Sequence, residues 1–461
     1  MAGISLLSIA TDALFAHKTA IDVTGSNIAN VNTPGYTRQR PVFSTKGTLS
    51  VSLDDAQTSV DLARIDRLYD RFVEVQIGNQ LSSLEYNKAK QEALQRVETL
   101  VNESDGQGIN ALLNDFWNAW QDLAANPGGE TEKAAVVSVA DSLTMLFRSY
   151  DGNIRSIQDD VDNEITGLVD EVNNIVSELG DLNGKIALLQ AGNGNVNNLL
   201  DRRTELVKNL ASIVNVNYFE DDEGQLNVFL DNGMPLAEGE KVWLLDVRVN
   251  SDNHSYRDVI FRSDPSTAIN NVLSGGRIAG LLEIRDETMP SYRQSLDTLA
   301  AALVTEVNKF HAQGYDSYGN PGGSFFDESK TAAGNISLAD AISDDPGRVA
   351  ASYSVNNDGE AARGIGALKD MTVLSNGTAT IGEFYTAFLG RVGRDVNDAT
   401  RYVDHGELLK GKLLQQRENL SGVSIDEEMV NLIRYQQGYN AAAKLVTAVQ
   451  DLTDTLMEMI R

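Results

Sequence analysis

The two ends of this chain limit its architecture more than anything between them. From Ile4 to Ile28, apolar side chains fall at Ile4, Leu7, Leu14, Ile21 and Ile28, with Ala10, Ala13 and Ala20 between. Spacings of three and seven predict a helix of about 26 residues, roughly 40 Å long, with a seam near the 3.5-residue period. At the other end, Leu432, Tyr435, Gln436, Tyr439, Leu445, Val449, Leu452 and Leu456 mark the seam of a second, Ala-rich helix over 424–460. A helix without a covered apolar face gains little in water. The two ends are therefore expected to pair as a coiled coil and to complete their burial against other copies. In that pairing Leu14 and Ile21 face Leu445, Val449, Leu452 and Leu456.

Each end helix has a polar motif at its inner end. The first is Ser26-Asn27-Ile28-Ala29-Asn30-Val31-Asn32-Thr33-Pro34-Gly35-Tyr36-Thr37-Arg38-Gln39. Asn30 and Asn32 suit a helix C-terminus, and Pro34-Gly35 stops the helix and turns the chain. The second motif runs from Ser421 through Asp426-Glu427-Glu428.

Between the ends, 36–65 is Ser/Thr/Val-rich and reads as an extended, partly β linker. Helical spacing returns over 66–126, breaks at Asn126-Pro127-Gly128-Gly129, and resumes over 131–190 and again to Ile213. Then the period switches to two at Val214, Val216, Tyr218, at Leu226, Val228, Leu230, and at Trp243, Leu245, Val247, Val249. Asp231-Asn232-Gly233 is a hairpin signal. Helices return at 277–312, 381–419 and 424–460. The expected fold is mainly α with an inserted β domain. Its domains are 1–35 with 424–461 (terminal coiled coil), 36–65 (linker), 66–212 with 269–423 (helical bundle, with a mixed Gly-rich segment at 314–380) and 213–268 (outer β domain).

Composition narrows the function. Of 461 residues, 38 are Lys or Arg and 66 are Asp or Glu, a net charge of −28. Nucleic acid and an anionic membrane both require a basic face, so neither is expected as a partner. With no cysteine, there is no disulfide, thiolate nucleophile or Cys-ligated metal. No secretory signal peptide and no transmembrane helix are expected.

Nothing in the pattern of titratable residues supports an enzyme, a cofactor or a metal. His17, His254, His311 and His405 lie far apart and read as exposed or helix-end histidines. Asp316, Asn320 and Asp327 fail the register of a calcium loop. Gly275-Gly276 and the Gly/Asn loop at 192–195 lack the strand context of a dinucleotide fingerprint. Glu220-Asp221-Asp222-Glu223 reads as a solvated hairpin tip, and Trp117 and Trp120 as core.

The two end motifs together resemble the signatures of bacterial flagellar axial proteins of the rod, hook and hook-associated classes. Interior residues narrow the resemblance to the hook-associated protein 1 family. They are Asn126-Pro127, Gly276, Gly280-Leu281-Leu282, Arg285-Asp286, Asn308, His311, Gly314-Tyr315-Asp316 and Phe325-Phe326. Gly438 and Lys133 depart from the family pattern. The resemblance implies a structural, non-enzymatic role in motility: a ring of identical subunits at the extracellular hook–filament junction, touching the hook protein and the second hook-associated junction protein. It also implies type III export with a flagellar chaperone and without a cleaved signal. Asn27, Asn30, Thr33, Pro34, Gly35, Tyr36 and Arg38 are then the N-terminal assembly motif. A hook or distal-rod protein, a non-flagellar coiled-coil scaffold and a secreted effector are the alternatives. The long helices at 66–210 argue against the first, and the paired end motifs against the others.

Overall fold

The computed structural model describes residues 2–47, 58–102, 108–192, 194–221, 223–354 and 358–460. Helix α1 (Ala2–Ala29) is followed by strands β1 (Gln39–Gly47) and β2 (Thr58–Arg67). Helices α2 (Arg71–Val101), α3 (Ile109–Ala125), α4 (Glu130–Ala191) and α5 (Asn197–Ile213) come next. Strands β3 (Val216–Glu220), β4 (Leu226–Leu230), β5 (Pro235–Glu238), β6 (Lys241–Val242), β7 (Leu245–Val249), β8 (Arg257–Phe261) and β9 (Asp264–Ala268) form the insert. Helices α6 (Gly276–Glu283), α7 (Met289–His311), α8 (Asp340–Asp344), α9 (Glu360–Ala367), α10 (Ile381–Ser421) and α11 (Ile425–Ile460) complete the chain. The fold is mainly α with long terminal helices and a small inserted β region, as the periodicities predict.

Two compact units result. One comprises Met1–Ser83, Val172–Leu244 and Gly406–Arg461, the other Leu84–Glu171 and Leu245–His405. The β insert is two antiparallel sheets, β3-β4-β5-β6 in the first unit and β7-β8-β9 in the second. A period of two marks strands but does not say which of them share a sheet.

In the first unit the expected turn at Asp231-Asn232-Gly233 joins β4 to β5, with Gly233 at φ +85°. The β5–β6 hairpin docks on α4 where two glycines lie one helical turn apart. A Cβ at Gly180 would stand 2.9 Å from Val242 Cγ1 and 3.1 Å from the Glu240 carbonyl oxygen; at Gly184 it would meet the Glu240 carboxylate. Between them, Asn183 Nδ2 donates to the Leu226 and Gly239 carbonyls at 2.9 and 2.8 Å. The helix thus supplies the amide that caps the hairpin.

The second unit has an aromatic core. Trp117 and Trp120 are buried on α3, as their spacing predicts, and Trp120 meets Phe325 edge-on at 5.2 Å. His311 ends α7 but is fully buried rather than exposed. Its Nδ1 donates to the Gly323 carbonyl at 2.6 Å and its Nε2 accepts from the Ala350 amide at 2.9 Å. Burial pushes its pKa down to about 4. The Gly-rich segment needs such anchors because it has few ladder hydrogen bonds of its own. Asn308 supplies another, accepting from the amides of Phe325 and Phe326 and donating to the Phe326 carbonyl. Lys133 is a third, its Nζ donating to Ser317 Oγ at 2.6 Å and the Val349 carbonyl at 2.8 Å. Asp316 caps the amides of Tyr318 and Asn320, so its carboxylate is used in a turn.

Candidate assembly site

The N-terminal motif builds a turn first. After α1, the Asn30 amide bonds back to the Ser26 carbonyl, and the Asn30 side chain donates to the same oxygen at 2.9 Å. The Tyr36 amide reaches the Thr33 carbonyl at 3.2 Å, with Gly35 at φ +80°. Proline second and a left-handed glycine third make a type II turn. A Cβ on Gly35 would also fall 2.6 to 2.8 Å from the Glu205 side chain of α5. Any other residue there is opposed twice, by its backbone and by its neighbour.

The turn brings the chain back onto Asn27. This side chain is buried and all its polar valences are used. Nδ2 donates to the Gln39 carbonyl at 2.8 Å and to Glu428 Oε2 at 3.0 Å. Oδ1 accepts from the Tyr36 hydroxyl at 2.8 Å and the Gln39 amide at 3.0 Å. Glu428 is buried on α11 and also binds Arg38, whose Nη2 lies 2.6 Å from Oε1. Arg38 Nη1 reaches Glu427 at 2.8 Å, and the Arg38 amide donates to the Ser421 carbonyl at 3.0 Å. Burial opposes the Arg38 charge, but the bonds to Glu427 and Glu428 outweigh it and hold its pKa above the ordinary value. Burial, with the charges of Asp201 and Glu428, pushes the Tyr36 hydroxyl up, so it remains a donor. From α5, Asp201 accepts from the Thr37 amide at 3.1 Å and from Arg67 Nη1 at 2.9 Å. One knot thus ties the two ends of the chain to α5.

Beyond the knot, α1 packs along α11. On α11 the buried positions are Glu428, Tyr435, Ala442 and Val449, each seven residues from the last. On α1 they are Ala10, Ala16, Ala20, Val23, Thr24 and Asn27. With the half-buried Ala13 and His17 these contain two seven-spaced lines, Ala10–His17–Thr24 and Ala13–Ala20–Asn27. The expected line of Leu7, Leu14, Ile21 and Ile28 lies on the flank of this seam, half-buried. On α1 small side chains occupy the buried line, which lets two helix backbones approach closely. Of the expected partners on α11, Val449 is buried, while Leu445 and Leu452 are 50% and 61% exposed. Leu432 and Tyr439 are half-buried, and Gln436 is exposed. The side chains of Ile4 and Leu456 lie outside the described residues.

Gly438, the departure on α11, has a partner in this seam. A Cβ there would stand 2.5 to 2.8 Å from ring atoms of His17. The glycine forgoes about 1 kcal/mol of helix propensity relative to alanine and makes a notch for the imidazole.

Off the buried line of α11, the large apolar side chains stay exposed among the described residues. Ile425, Met429, Val430, Ile433, Leu445, Leu452, Met457 and Met459 are 45% to 79% exposed. Among the described residues no group of His, Cys, Asp or Glu is arranged to hold a metal, and no helix is long and apolar enough to cross a membrane.

Comparison with known proteins agrees with this geometry at both ends and in the middle. Residues 94–326, just over half of the chain, match the flagellar hook-associated protein FlgK helical domain. Residues 7–37 match the flagella basal body rod protein family, and 414–459 the C-terminal family of flagellar basal body rod FlgEFG proteins. Flagellar hook-associated protein 1 of Bacillus subtilis is 28% identical, over 98% of this chain and 97% of that protein. Its Escherichia coli namesake is 23% identical, over 99% of this chain and all of that protein. The solved flagellar hook junction protein FlgK from Burkholderia pseudomallei shares the fold, with a TM-score of 0.68 over 75% of this chain at 15% identity. A helical middle and two axial-protein ends on one chain have a single explanation: the chain belongs to the flagellar hook-associated protein 1 (FlgK) family.

Proposed function

We propose that this chain is a structural subunit of the bacterial flagellum that forms the junction between hook and filament by self-assembly of its terminal helices. The observation that carries this reading is the division of labour on α11. One face, the Glu428–Tyr435–Ala442–Val449 line, is covered by the chain's own N-terminal helix. Off that line, Met429, Ile433, Leu445 and Leu452 stay 45% to 61% exposed among the described residues. Burying such side chains yields roughly 25 cal/mol per Å², enough to drive association once the helix is already ordered. The subunits form a ring of identical copies, as repeated head-to-tail contacts that close do, between the hook protein and the second hook-associated junction protein. They leave the cell through the flagellar export apparatus with a chaperone and without signal cleavage. Asn27, Asn30, Thr33, Pro34, Gly35, Tyr36 and Arg38 set the angle at which the chain leaves the inner helix. The membership of a structural family argues against enzymatic activity.

Deleting the gene tests the reading. Cells should keep hooks, lack attached filaments and lose flagellin to the medium. Normal filaments on the deletion strain would overturn it.

A further inference from the structure

We propose that His17 makes the pairing of the two terminal helices an acid-sensitive joint, closed with a neutral imidazole and loosened when the ring takes a proton. The inference rests on the terminal pair being the assembly element and adds a means of its regulation.

The ring sits in a pocket built for an uncharged group. Phe43 of β1 lies 5.9 Å from it and Tyr435 of α11 lies 6.4 Å from it, centroid to centroid. Phe43 and Tyr435 are themselves 5.9 Å apart, so the three rings close a triangle. The third wall is the Gly438 notch, where any β-carbon would strike the imidazole. On its own helix the neighbouring turns offer Ala13, Leu14, Ala20 and Ile21, none of them charged.

The ring's nitrogens distinguish the two protonation states. Nδ1 is buried and has no hydrogen-bond partner among the described residues. A neutral imidazole leaves that atom as a bare acceptor at modest cost. An imidazolium must make both nitrogens donors, and the one at Nδ1 would have nowhere to go. No carboxylate pairs with the ring among the described residues. The charged group on this side of α11 is Arg434, whose guanidinium carbon stands 5.0 Å from the Tyr435 ring centre and whose Nη2 donates to the Tyr435 hydroxyl. A second positive charge beyond the same ring is repelled. Burial lowers the His17 pKa below the ordinary 6.5.

The sign follows from linkage. The paired state binds the proton less well than the separated helices. Pairing is therefore undiminished above pH 6.5 and weakens as pH falls from there toward the lowered value. Acid would open the joint while the knot of Asn27, Arg38 and Glu428 still holds its inner end.

The test is an NMR titration of the histidines in the full-length chain, with limited proteolysis of α1 across pH. A histidine in an unstructured peptide serves as the reference, and His17 should titrate below its ordinary 6.5. Cleavage within α1 should accelerate as pH drops from about 7.5 to about 5, and this acceleration should vanish in His17→Phe. If the bulkier ring opens the helix pair at every pH, the wild-type titration decides. In Gly438→Ala, which spoils the notch and keeps the histidine, the His17 value should rise toward the ordinary 6.5. His17 titrating at or above the ordinary 6.5, or α1 cleavage keeping its pH dependence in a folded His17→Phe, would overturn the proposal. These readouts concern the isolated chain. They stand or fall separately from filament attachment in the deletion strain.

Discussion

The core of the second unit and the pair of terminal helices are both helix-on-helix packings, yet they are finished to different degrees. Around Phe116, Trp120, Phe147 and Phe325 the side chains are large and fully buried. Along α1 and α11 the buried positions are mostly small, Tyr435 being the large exception; Leu7, Leu14, Ile21 and Ile28 are half-buried beside them, and Leu445 and Leu452 are exposed. A core that uses its bulky residues for itself is complete as a monomer. A seam that uses small residues for itself and leaves Leu, Ile and Met exposed is, on the function proposed above, half of a larger contact. What distinguishes a folding core from an assembly element is which size class lies inside.

Four measurements sharpen or break this contrast. Trp120→Ala should have the largest effect, destabilising the second unit by about 3–5 kcal/mol in urea unfolding, because it empties a site enclosed on every side. An effect under about 1 kcal/mol would mean that this core is no tighter than the terminal seam. Acid should act next. His311 has a folded pKa of about 4 against an ordinary 6.5, so its contribution is intact above pH 6.5 and lost as pH falls toward 4. That difference is worth about 3 kcal/mol, and thermal melts of the wild type and His311→Gln at pH 7 and pH 4.5 should converge at the lower pH. Third, Glu428→Gln keeps the shape of the knot and removes its charge. Roughly 2 kcal/mol should go from the first unit, the difference that a charged hydrogen bond to Arg38 makes, read as faster proteolysis near residue 38. Smallest in the isolated chain is Leu452→Asp, within about 0.5 kcal/mol because the side chain is already in water. Val449→Asp, three residues away on the buried line, should detach α11 outright. Incorporation at the hook tip should fall for both. Equal behaviour of the two variants in the monomer would erase the distinction between the buried line and the exposed residues beside it.

The sequence made the element plan legible because long helices carry many repeats of their period. The helix expected over 131–190 is α4 at Glu130–Ala191, and that over 381–419 is α10 at Ile381–Ser421. That the small residues of α1 would be the buried ones was not legible. Leu and Ile attract attention as seam residues, but close approach favours alanine, and only the helix–helix contact reveals the choice. The line Glu428–Tyr435–Ala442–Val449 could have been found by its strict seven-residue spacing, had a glutamate been admitted to it. The motif Thr33-Pro34-Gly35-Tyr36 foretold its turn, since only glycine adopts that backbone easily. Asp201, which holds the turn from α5, and Glu205, which lies against Gly35, carry no local signal. They are two carboxylates on an ordinary helix, and their role exists only where the chain returns from a distance. The split of the β insert between two sheets has the same cause.

The bond between Asn27 and Glu428 spans 401 positions of sequence. Contacts that distant close late, because the whole intervening chain must be on hand before they repay the lost entropy. A chain emerging with its first residues leading therefore cannot satisfy Asn27 until nearly its last residues have followed. The knot acts as a completeness check: a subunit truncated before Glu428 leaves Asn27 and Arg38 unpartnered at the inner end of its first helix, and its unfinished state is written at the surface by which it would join its neighbours.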